Sequence, residues 1–150
     1  MSGIFGMNIK MAIYSESHGK SIGVVLDGLP PGLALDEATI AAEMARRAPG
    51  QNALSTARKE SDTVEIQSGF FNGFTTGTPL CARIVNSDQH SKDYSILADK
   101  MRPGHADYAG HVRYQGFNDY RGGGHFSGRL TAPLVFAGAV AKQALAEYGI

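Results

Sequence analysis

Tryptophan is absent from this sequence of 150 residues, and cysteine occurs once, at Cys81. A lone cysteine excludes an internal disulfide framework and any zinc site built from several thiolates. No apolar run approaches the roughly 20 residues that a membrane span needs. The N-terminus has neither the basic block nor the apolar block of a signal peptide. We therefore expect a cytoplasmic protein that has no membrane partner.

Neither sign of charge predominates, because 14 Lys and Arg residues balance 14 Asp and Glu residues. A chain without net charge has no general attraction for nucleic acid, so we expect no nucleic-acid partner. The G-x-S-x-G, Walker A, H-E-x-x-H and C-x-x-C motifs are also missing, which disfavours the catalytic classes that those motifs define. We expect no metal site.

The composition is otherwise that of a globular domain, with 43% hydrophobic and 19% charged residues. No repeat, low-complexity tract or linker divides the chain, so we expect residues 1–150 to belong to a single domain with no internal boundary. Glycine is abundant, at 19 residues. This is about twice the usual share and predicts tight turns or close approaches of the backbone to a ligand.

Apolar periodicity predicts both strands and helices. Alternating or short apolar runs predict strands over four segments, 7–14, 22–26, 63–68 and 79–85. The Asn72-Gly73 pair between two phenylalanines is typical of a tight hairpin turn and predicts that segment 79–85 is the partner strand of 63–68. Two helices are predicted, one from Asp36 as N-cap to about residue 47 and one over 131–148. Ile40 and Met44 lie four residues apart, on the expected inner face of the first.

The second predicted helix should be capped by Thr131 and should end at Gly149. Apolar and small residues recur along one of its faces, which we expect to pack on a sheet: Leu134, Gly138, Ala141 and Leu145. Between residues 86 and 128 the periodicity is lost, and the sequence is polar, glycine-rich and aromatic. Loops longer than about 15 residues are uncommon unless they are functional, so we expect a site in this segment.

His18 lies in a loop between two predicted strands, among small and polar residues. An imidazole can transfer protons near neutral pH, so His18 is a candidate acid or base. The loop alone favours a simpler interpretation, in which a surface histidine is hydrogen-bonded by Glu16 or Ser17.

Arg46 and Arg47 end the first predicted helix, and Arg58 follows them. Guanidinium groups bind phosphate and carboxylate through a planar fork of donors. A helix C-terminus also favours cations because of its dipole, and Glu43 and Asp62 offer ordinary surface pairing. Both interpretations remain open on the sequence.

Arg102-Pro103-Gly104-His105 forms a second arginine-histidine motif. Proline and glycine predict a rigid turn that presents His105 beside Arg102. A purely structural turn is equally compatible with this sequence.

Three consecutive glycines, Gly122 to Gly124, precede the last predicted helix, and Arg121 and Arg129 flank them. Successive backbone N–H groups at such a place can converge on an anion. A dinucleotide fingerprint is disfavoured, because no buried strand leads into the glycines. We therefore predict an anionic, phosphate-bearing small ligand, without a defined reaction.

Seven segments together point to one enzyme family: Glu16-Ser17-His18-Gly19, Asp27-Gly28-Leu29-Pro30-Pro31-Gly32-Leu33, Arg46-Arg47 through Pro49-Gly50-Gln51, Thr75-Thr76-Gly77-Thr78-Pro79, Ser91-Lys92-Asp93-Tyr94, Arg102-Pro103-Gly104-His105-Ala106-Asp107-Tyr108 and Asp119-Tyr120-Arg121-Gly122-Gly123-Gly124. In order and spacing they resemble chorismate synthase over essentially the whole chain. Members of that family are longer, so the sequence resembles their N-terminal two-fifths.

The resemblance implies an α+β fold, the N-terminal part of a β-α-β layered sandwich, in a protein that assembles as a homotetramer. It implies a lyase that converts 5-enolpyruvylshikimate 3-phosphate to chorismate and phosphate by anti-1,4-elimination, the last step of the shikimate pathway. Reduced FMN is the implied cofactor, and some members of the family reduce it with NADPH. The alternative is a truncated, non-catalytic homologue that binds phosphate or flavin.

The resemblance also implies roles for individual residues. His18 matches the histidine that protonates the departing phosphate, and His105 matches the one that protonates the reduced flavin. Five arginines match the family's contacts to the substrate anions: Arg46, Arg47, Arg58, Arg102 and Arg129. The implied FMN contacts are Arg47, His125, Phe126 and Ser127.

The chain departs from the family pattern in the predicted flavin loop. His125-Phe126-Ser127 stands where the family usually has Arg-Ser-Ser, which removes one cation from the implied phosphate contact. Ala48 replaces the third arginine of the usual run, and Ser15 replaces the glycine before Glu16.

Overall fold

The computed structural model describes residues 3–48, 62–86 and 99–150. The strands in these ranges are β1 (Ile4–Phe5), β2 (Lys10–Tyr14), β3 (Ser21–Asp27), β4 (Val64–Ser68), β5 (Phe70–Phe71), β6 (Phe74–Thr75) and β7 (Leu80–Val85). Five of them form an antiparallel sheet in the order β1-β2-β3-β7-β4. The predicted pairing of segments 63–68 and 79–85 is confirmed, and β7 also pairs with β3.

The predicted hairpin turn is confirmed at Asn72 and Gly73. β5 and β6 flank these two residues and pair with each other as a separate two-stranded ribbon. Both turn residues have positive φ, 49° for Asn72 and 85° for Gly73. This is the conformation that an Asn-Gly hairpin turn of two residues adopts. The ribbon extends the hairpin formed by β4 and β7.

The helices are α1 (Glu37–Arg47), α2 (Asp107–Arg113) and α3 (Thr131–Ala146). Asp36 caps α1 as predicted, because its carboxylate accepts from the backbone N–H groups of Ala38 and Thr39 at 3.0 and 3.1 Å. α2 falls in the segment for which we predicted no regular structure. It is only seven residues long and no side chain caps its N-terminus, so the two strongest sequence signals of a helix, a long apolar periodicity and an N-cap, are missing there.

The core lies between the sheet and the two longer helices. α3 contacts β2, β3 and β7, and α1 packs against α3. Alternate residues of the central strands are buried: Ile22, Val24 and Leu26 in β3, and Leu80, Ala82 and Ile84 in β7. Ile40 and Met44 form the buried face of α1, as their spacing predicted. The combination of helices with an antiparallel sheet confirms the predicted α+β class.

The buried face of α3 was predicted wrongly. Its buried residues are Ala132, Pro133, Phe136, Ala137, Ala139 and Val140. Leu134 and Leu145, by contrast, are 38% and 45% exposed, and they line an apolar groove of about 780 Å³ together with Gly138 and Ala141. The helix is apolar on nearly every face, so periodicity could not decide which face would meet the sheet.

Thr131 is not the N-cap of α3, although the sequence suggested it. Its hydroxyl donates to the backbone oxygen of Gly128 at 2.6 Å. The capping side chain lies one turn earlier, where Ser127 Oγ accepts from the backbone N–H of Arg129 at 3.2 Å. Ser127 begins a short 3₁₀ turn, Gly128–Leu130, that leads directly into α3. In the described ranges, no helix combines the length and the apolar character needed to cross a membrane.

Candidate active site

The three-glycine segment forms a sharply bent loop that could not be built from other residues. Gly122, Gly123 and Gly124 have φ values of 58°, 85° and 55°. Side chains are strained in this left-handed region, and only glycine adopts it freely. Residues with a side chain would be strained at all three positions, so the bend depends on the three glycines.

Two histidines from distant parts of the chain lie against this loop. A Cβ atom at Gly122 would fall 2.4 Å from Cδ2 of His18, and one at Gly123 would fall 2.6 Å from Cε1 of His105. His18 and His105 are thus brought to neighbouring positions on one loop, although they are far apart in sequence. The structure brings together the two residues that we predicted to be catalytic.

His18 is buried, with 4% of its surface exposed. The simpler interpretation of a surface histidine is therefore wrong. The backbone N–H of Ser17 donates to the carbonyl oxygen of Gly124 at 3.1 Å, which ties the His18 loop to the glycine loop. The glycine loop contributes to this burial, because Gly122 lies directly against the imidazole ring.

Asn86 holds the His18 loop from its other side. Its side-chain amide donates to the carbonyl oxygens of Ser17 and Gly19 at 3.1 and 2.8 Å. The Asn86 Oδ1 atom accepts from Nε of Arg129 at 3.2 Å. The buried Asn86 side chain thus connects the loop of His18, a predicted acid, to Arg129, a predicted anion-binding residue. Asn86 was not predicted as a site residue, because a single asparagine at a strand end carries no distinctive sequence pattern.

Asp62 joins two of the predicted substrate-binding arginines. Its carboxylate binds NH1 of Arg47 at 2.5 Å through one oxygen and NH1 of Arg129 through the other. The Asp62 side chain is fully buried, and that of Arg129 is 3% exposed, whereas Arg47 is 21% exposed. Arg47 NH2 also donates to the backbone oxygen of Gly128 at 3.3 Å. Asp62 is therefore no ordinary surface partner but the centre of a buried charge cluster.

Arg102 and His105 converge on another carboxylate, that of Asp107. Arg102 donates to Asp107 from Nε at 2.8 Å and from NH2 at 3.0 Å, and His105 Nδ1 lies 2.6 Å from Asp107 Oδ1. Hydrogen bonds from Arg102 hold the pKa of Asp107 at about 2, well below its usual value of 3.8. Asp107 is therefore ionised throughout the physiological pH range.

Arg121 and Asp119 form a similar pair beside the glycine loop. Arg121 donates from Nε at 2.9 Å and from NH2 at 2.6 Å to the two carboxylate oxygens. Hydrogen bonds from Arg121 lower the pKa of Asp119 and raise that of Arg121. Arg121 was expected to offer a charge to an anionic ligand, but in this structure a carboxylate of the chain binds it.

One of the predicted substrate-binding arginines, Arg46, is bound by none of these buried carboxylates. Arg46 has 74% of its side chain exposed and pairs with Glu43, three residues earlier on α1, at 2.5 Å. This contact is the ordinary surface pairing that the sequence left open. Arg58 lies outside the described residues.

Besides Arg47, the three other residues predicted to bind the flavin have different surroundings. His125 donates from Nδ1 to the carbonyl oxygen of Ser15 at 2.9 Å. The Phe126 ring lies against Gly110, where a Cβ atom would be 2.7 Å away, and its centroid is 6.1 Å from that of Tyr114. Ser127 Oγ caps the turn that leads to Arg129.

A cavity of about 370 Å³ opens beside the glycine loop. Its lining is partly aromatic and partly polar: Glu16, Tyr114, Phe117, Asn118, Asp119, His125 and Phe126. In the described part of the chain, no group of three or more His, Cys, Asp or Glu side chains is placed to hold a metal ion.

Comparison with known proteins is consistent with the resemblance noted in the sequence. Residues 9–150 match the family model described as chorismate synthase. The chain is 51% identical over 150 residues to the chorismate synthase of Cytophaga hutchinsonii and 55% identical over 148 residues to that of Burkholderia multivorans. These alignments cover 100% and 98% of this chain but only 41% and 40% of the two relatives.

The fold is also similar to a solved structure. A crystal structure of chorismate synthase superposes with a TM-score of 0.65 at 30% sequence identity. The superposition covers 95% of this chain and 35% of the other. The chain thus spans about two-fifths of the length of the relatives that it matches. Because the family model covers nearly all of its residues, the chain belongs to the chorismate synthase family.

Proposed function

We propose that this protein catalyses the chorismate synthase reaction, in which 5-enolpyruvylshikimate 3-phosphate loses phosphate and a ring hydrogen to give chorismate. The observation that carries the proposal is that His18 and His105 lie against adjacent glycines of one loop, with Arg102 beside His105. An elimination of phosphate needs a proton for the leaving group and cations for the substrate anions. The two histidines can provide the proton, and the arginines can provide the cations.

His18 is the residue proposed to protonate the departing phosphate. It is buried, so its ring is shielded from bulk water, and its loop is held by Asn86 and by Gly124. Exclusion of water strengthens electrostatic contacts between an acid and an anionic leaving group. His105, which lies against Gly123, is proposed to hold the proton that the family resemblance assigns to the reduced flavin.

Arg47, Arg102 and Arg129 are the arginines proposed to face the substrate's phosphate and carboxylates. Two of them share the single carboxylate of Asp62, so this pair retains one net positive charge. A buried cation is stable only when it is paired and hydrogen-bonded, which explains why the chain supplies carboxylates for its own arginines. Arg46 and Arg58 remain sequence-based proposals for the same role.

The cavity beside the glycine loop is the proposed site for the ring system of a flavin. Its volume of about 370 Å³ lies within the range of small-molecule sites, and three aromatic side chains line it. His125 is the only basic residue among the described lining residues, and Glu16 and Asp119 disfavour an anion. His125 and Phe126 would hold the ring system, while the FMN phosphate would need cations from elsewhere, with Arg47 and Ser127 as the family-derived candidates. When bound, reduced FMN supplies an electron transiently and recovers it, so that the reaction is redox-neutral overall.

The family resemblance further supports a cytoplasmic homotetramer whose FMN is reduced by NADPH or by an outside reductant. It supports a single domain over residues 1–150, as part of the family fold. A non-catalytic homologue is the second candidate. The observation favouring it is that Arg47, Arg102, Arg121 and Arg129 each bind a carboxylate of the chain itself.

The deciding experiment is an anaerobic assay of the complete gene product with reduced FMN and 5-enolpyruvylshikimate 3-phosphate. We expect equal amounts of chorismate and inorganic phosphate to appear. Omission of reduced flavin should abolish both products. Stoichiometric binding of the substrate without either product would identify the non-catalytic homologue instead.

A further inference from the structure

We propose that Asp107 is a positioning residue for His105, fixing the hydrogen of the imidazole on Nδ1 so that Nε2 faces the glycine loop. The inference rests on the proposed function for its catalytic meaning, but the geometry stands independently of it. Neither the family match nor the sequence motif assigns this role to Asp107.

The Asp107 carboxylate is rigidly held. Three donors of Arg102 bind it: the backbone N–H to Oδ2 at 3.1 Å, Nε to Oδ2 at 2.8 Å and NH2 to Oδ1 at 3.0 Å. Its side chain is 4% exposed, compared with 29% for His105. A carboxylate that is buried, ionised and bound at both oxygens has little freedom to follow a moving partner. It can therefore determine the orientation of the imidazole.

The contacts at His105 Nδ1 determine which nitrogen carries the hydrogen. Asp107 Oδ1 lies 2.6 Å from Nδ1, whereas NH2 of Arg102 lies 3.2 Å away. An ionised carboxylate can only accept and a guanidinium can only donate, so the two contacts require opposite states of Nδ1. The shorter contact, at 2.6 Å against 3.2 Å, is to the charged acceptor. Nδ1 is therefore the donor, and the neutral ring has its lone pair on Nε2.

The opposite edge of the ring faces the site. The His105 atoms nearest to the Cβ direction of Gly123 are Cε1 at 2.6 Å and Nε2 at 2.9 Å. Gly122, the next residue of the same loop, faces His18 in the same way. Asp107 thus leaves Nε2 as the nitrogen that can gain or lose a proton at the loop. A buried aspartate that selects the histidine tautomer is a known device in acid–base catalysis.

The first test is direct and needs no substitution of Asp107. Histidine labelled with ¹⁵N in the complete gene product gives distinct shifts for protonated and unprotonated ring nitrogens, and His105→Ala identifies the signals of His105. We expect Nδ1 to be protonated and Nε2 unprotonated in the neutral ring. A neutral His105 with its hydrogen on Nε2 would overturn the proposal.

The second test uses Asp107→Asn, whose amide can donate to Nδ1 and so favours the other tautomer. We expect the hydrogen to move to Nε2 and kcat to fall by about 10²-fold or more, with KM nearly unchanged. Asp107→Glu, which keeps the acceptor, should restore the wild-type tautomer and part of kcat. The matched control is Asp27→Asn, at an exposed strand end, which should keep both the tautomer and kcat.

The outcomes separate this proposal from the proposed function. If the wild-type protein forms no chorismate, the function fails, but the ¹⁵N shifts still decide the role of Asp107. If the wild-type protein is active and Asp107→Asn keeps both its tautomer and its kcat, the positioning role fails and the function stands.

Discussion

Arg129 and Asp62 form an ion pair that is almost completely withdrawn from water, with side chains that are 3% and 0% exposed. The same carboxylate binds Arg47, and Asn86 connects Arg129 to the backbone around His18. Removing two charges from water is costly, and their attraction offsets that cost only when further hydrogen bonds complete the site. The pair therefore couples the stability of the fold to the arrangement of the predicted catalytic residues.

Substitution Asp62→Asn should strongly destabilise the complete protein. Asparagine tolerates the positive φ of 48° at this position, so the change removes the charge while keeping the backbone conformation. Because Arg129 is left buried without its counter-ion, we expect a loss of about 3–5 kcal/mol in the free energy of unfolding. Urea denaturation of the two proteins measures this loss of stability.

The matched control for that prediction is Glu65→Gln. Glu65 pairs with Arg83 at 2.6 Å, but both side chains are more than 40% exposed, at 44% and 45%. Loss of an exposed pair should cost no more than about 1 kcal/mol. Equal effects of the two substitutions would show that burial gives the Asp62 cluster no special importance.

Substitution Arg47→Ala should weaken binding of the phosphorylated substrate. Arg47 is the more accessible arginine of the Asp62 pair, so its removal affects the folded state less than removal of Arg129. A charge-assisted hydrogen bond is worth roughly 1.5–3 kcal/mol, which corresponds to about a ten- to hundredfold loss of affinity. Calorimetric titration measures this loss. Arg83→Ala, on the exposed surface of β7, should bind the substrate as the wild-type protein does.

Substitution His105→Ala should leave the fold intact and remove most of the turnover. The side chain is partly exposed and contacts the site rather than the core, so little packing is lost. Acid–base groups contribute about 10²–10⁴-fold to rates, and we expect kcat to fall within that range. His111→Ala is the control, because His111 is exposed on the neighbouring helix. Near-normal turnover of purified His105→Ala would refute the role of this histidine.

Substitution Gly123→Ala tests whether the glycine loop sets the place of His105. A methyl group there would be strained by the positive φ of 85° and would also lie 2.6 Å from the imidazole. Gly73→Ala is a closely matched control, since its φ is also 85° but nothing lies within 4 Å of the added carbon. We expect the control to lose about 1–2 kcal/mol of stability and to keep its turnover. Gly123→Ala should lose more stability than this and most of its turnover, as thermal unfolding and the chorismate assay would show.

Acid should selectively remove the stabilising contribution of Asp107. Its pKa is about 2 in the folded protein and 3.8 in an ordinary carboxyl, so the ionised form is favoured by folding. This contribution is complete above about pH 4 and is lost as the pH falls toward 2, because the unfolded chain then binds the proton first. The difference in unfolding free energy between the wild-type protein and Asp107→Asn should therefore shrink between pH 4 and pH 2.

Short sequence patterns correctly predicted the structural features that depend on residues close together in the chain. The Asp36 cap, the Asn72-Gly73 hairpin and the buried pair Ile40 and Met44 all depend on residues within one or two turns of each other, and all were confirmed. The buried face of α3 was not, because that helix is apolar on nearly every side. Only contact with the sheet selects the face containing Phe136 over the face containing Leu134.

The sequence by itself determined the α+β class, the membership of the family and the identity of the two histidines that meet at the glycine loop. Only the tertiary structure decided which charges balance one another. Arg129 lies 67 residues from Asp62 and 43 from Asn86, and no periodicity or motif links residues so far apart. Burying a charge is costly unless a counter-charge lies close to it in the folded chain. The tertiary packing therefore determines which carboxylate pairs with each arginine.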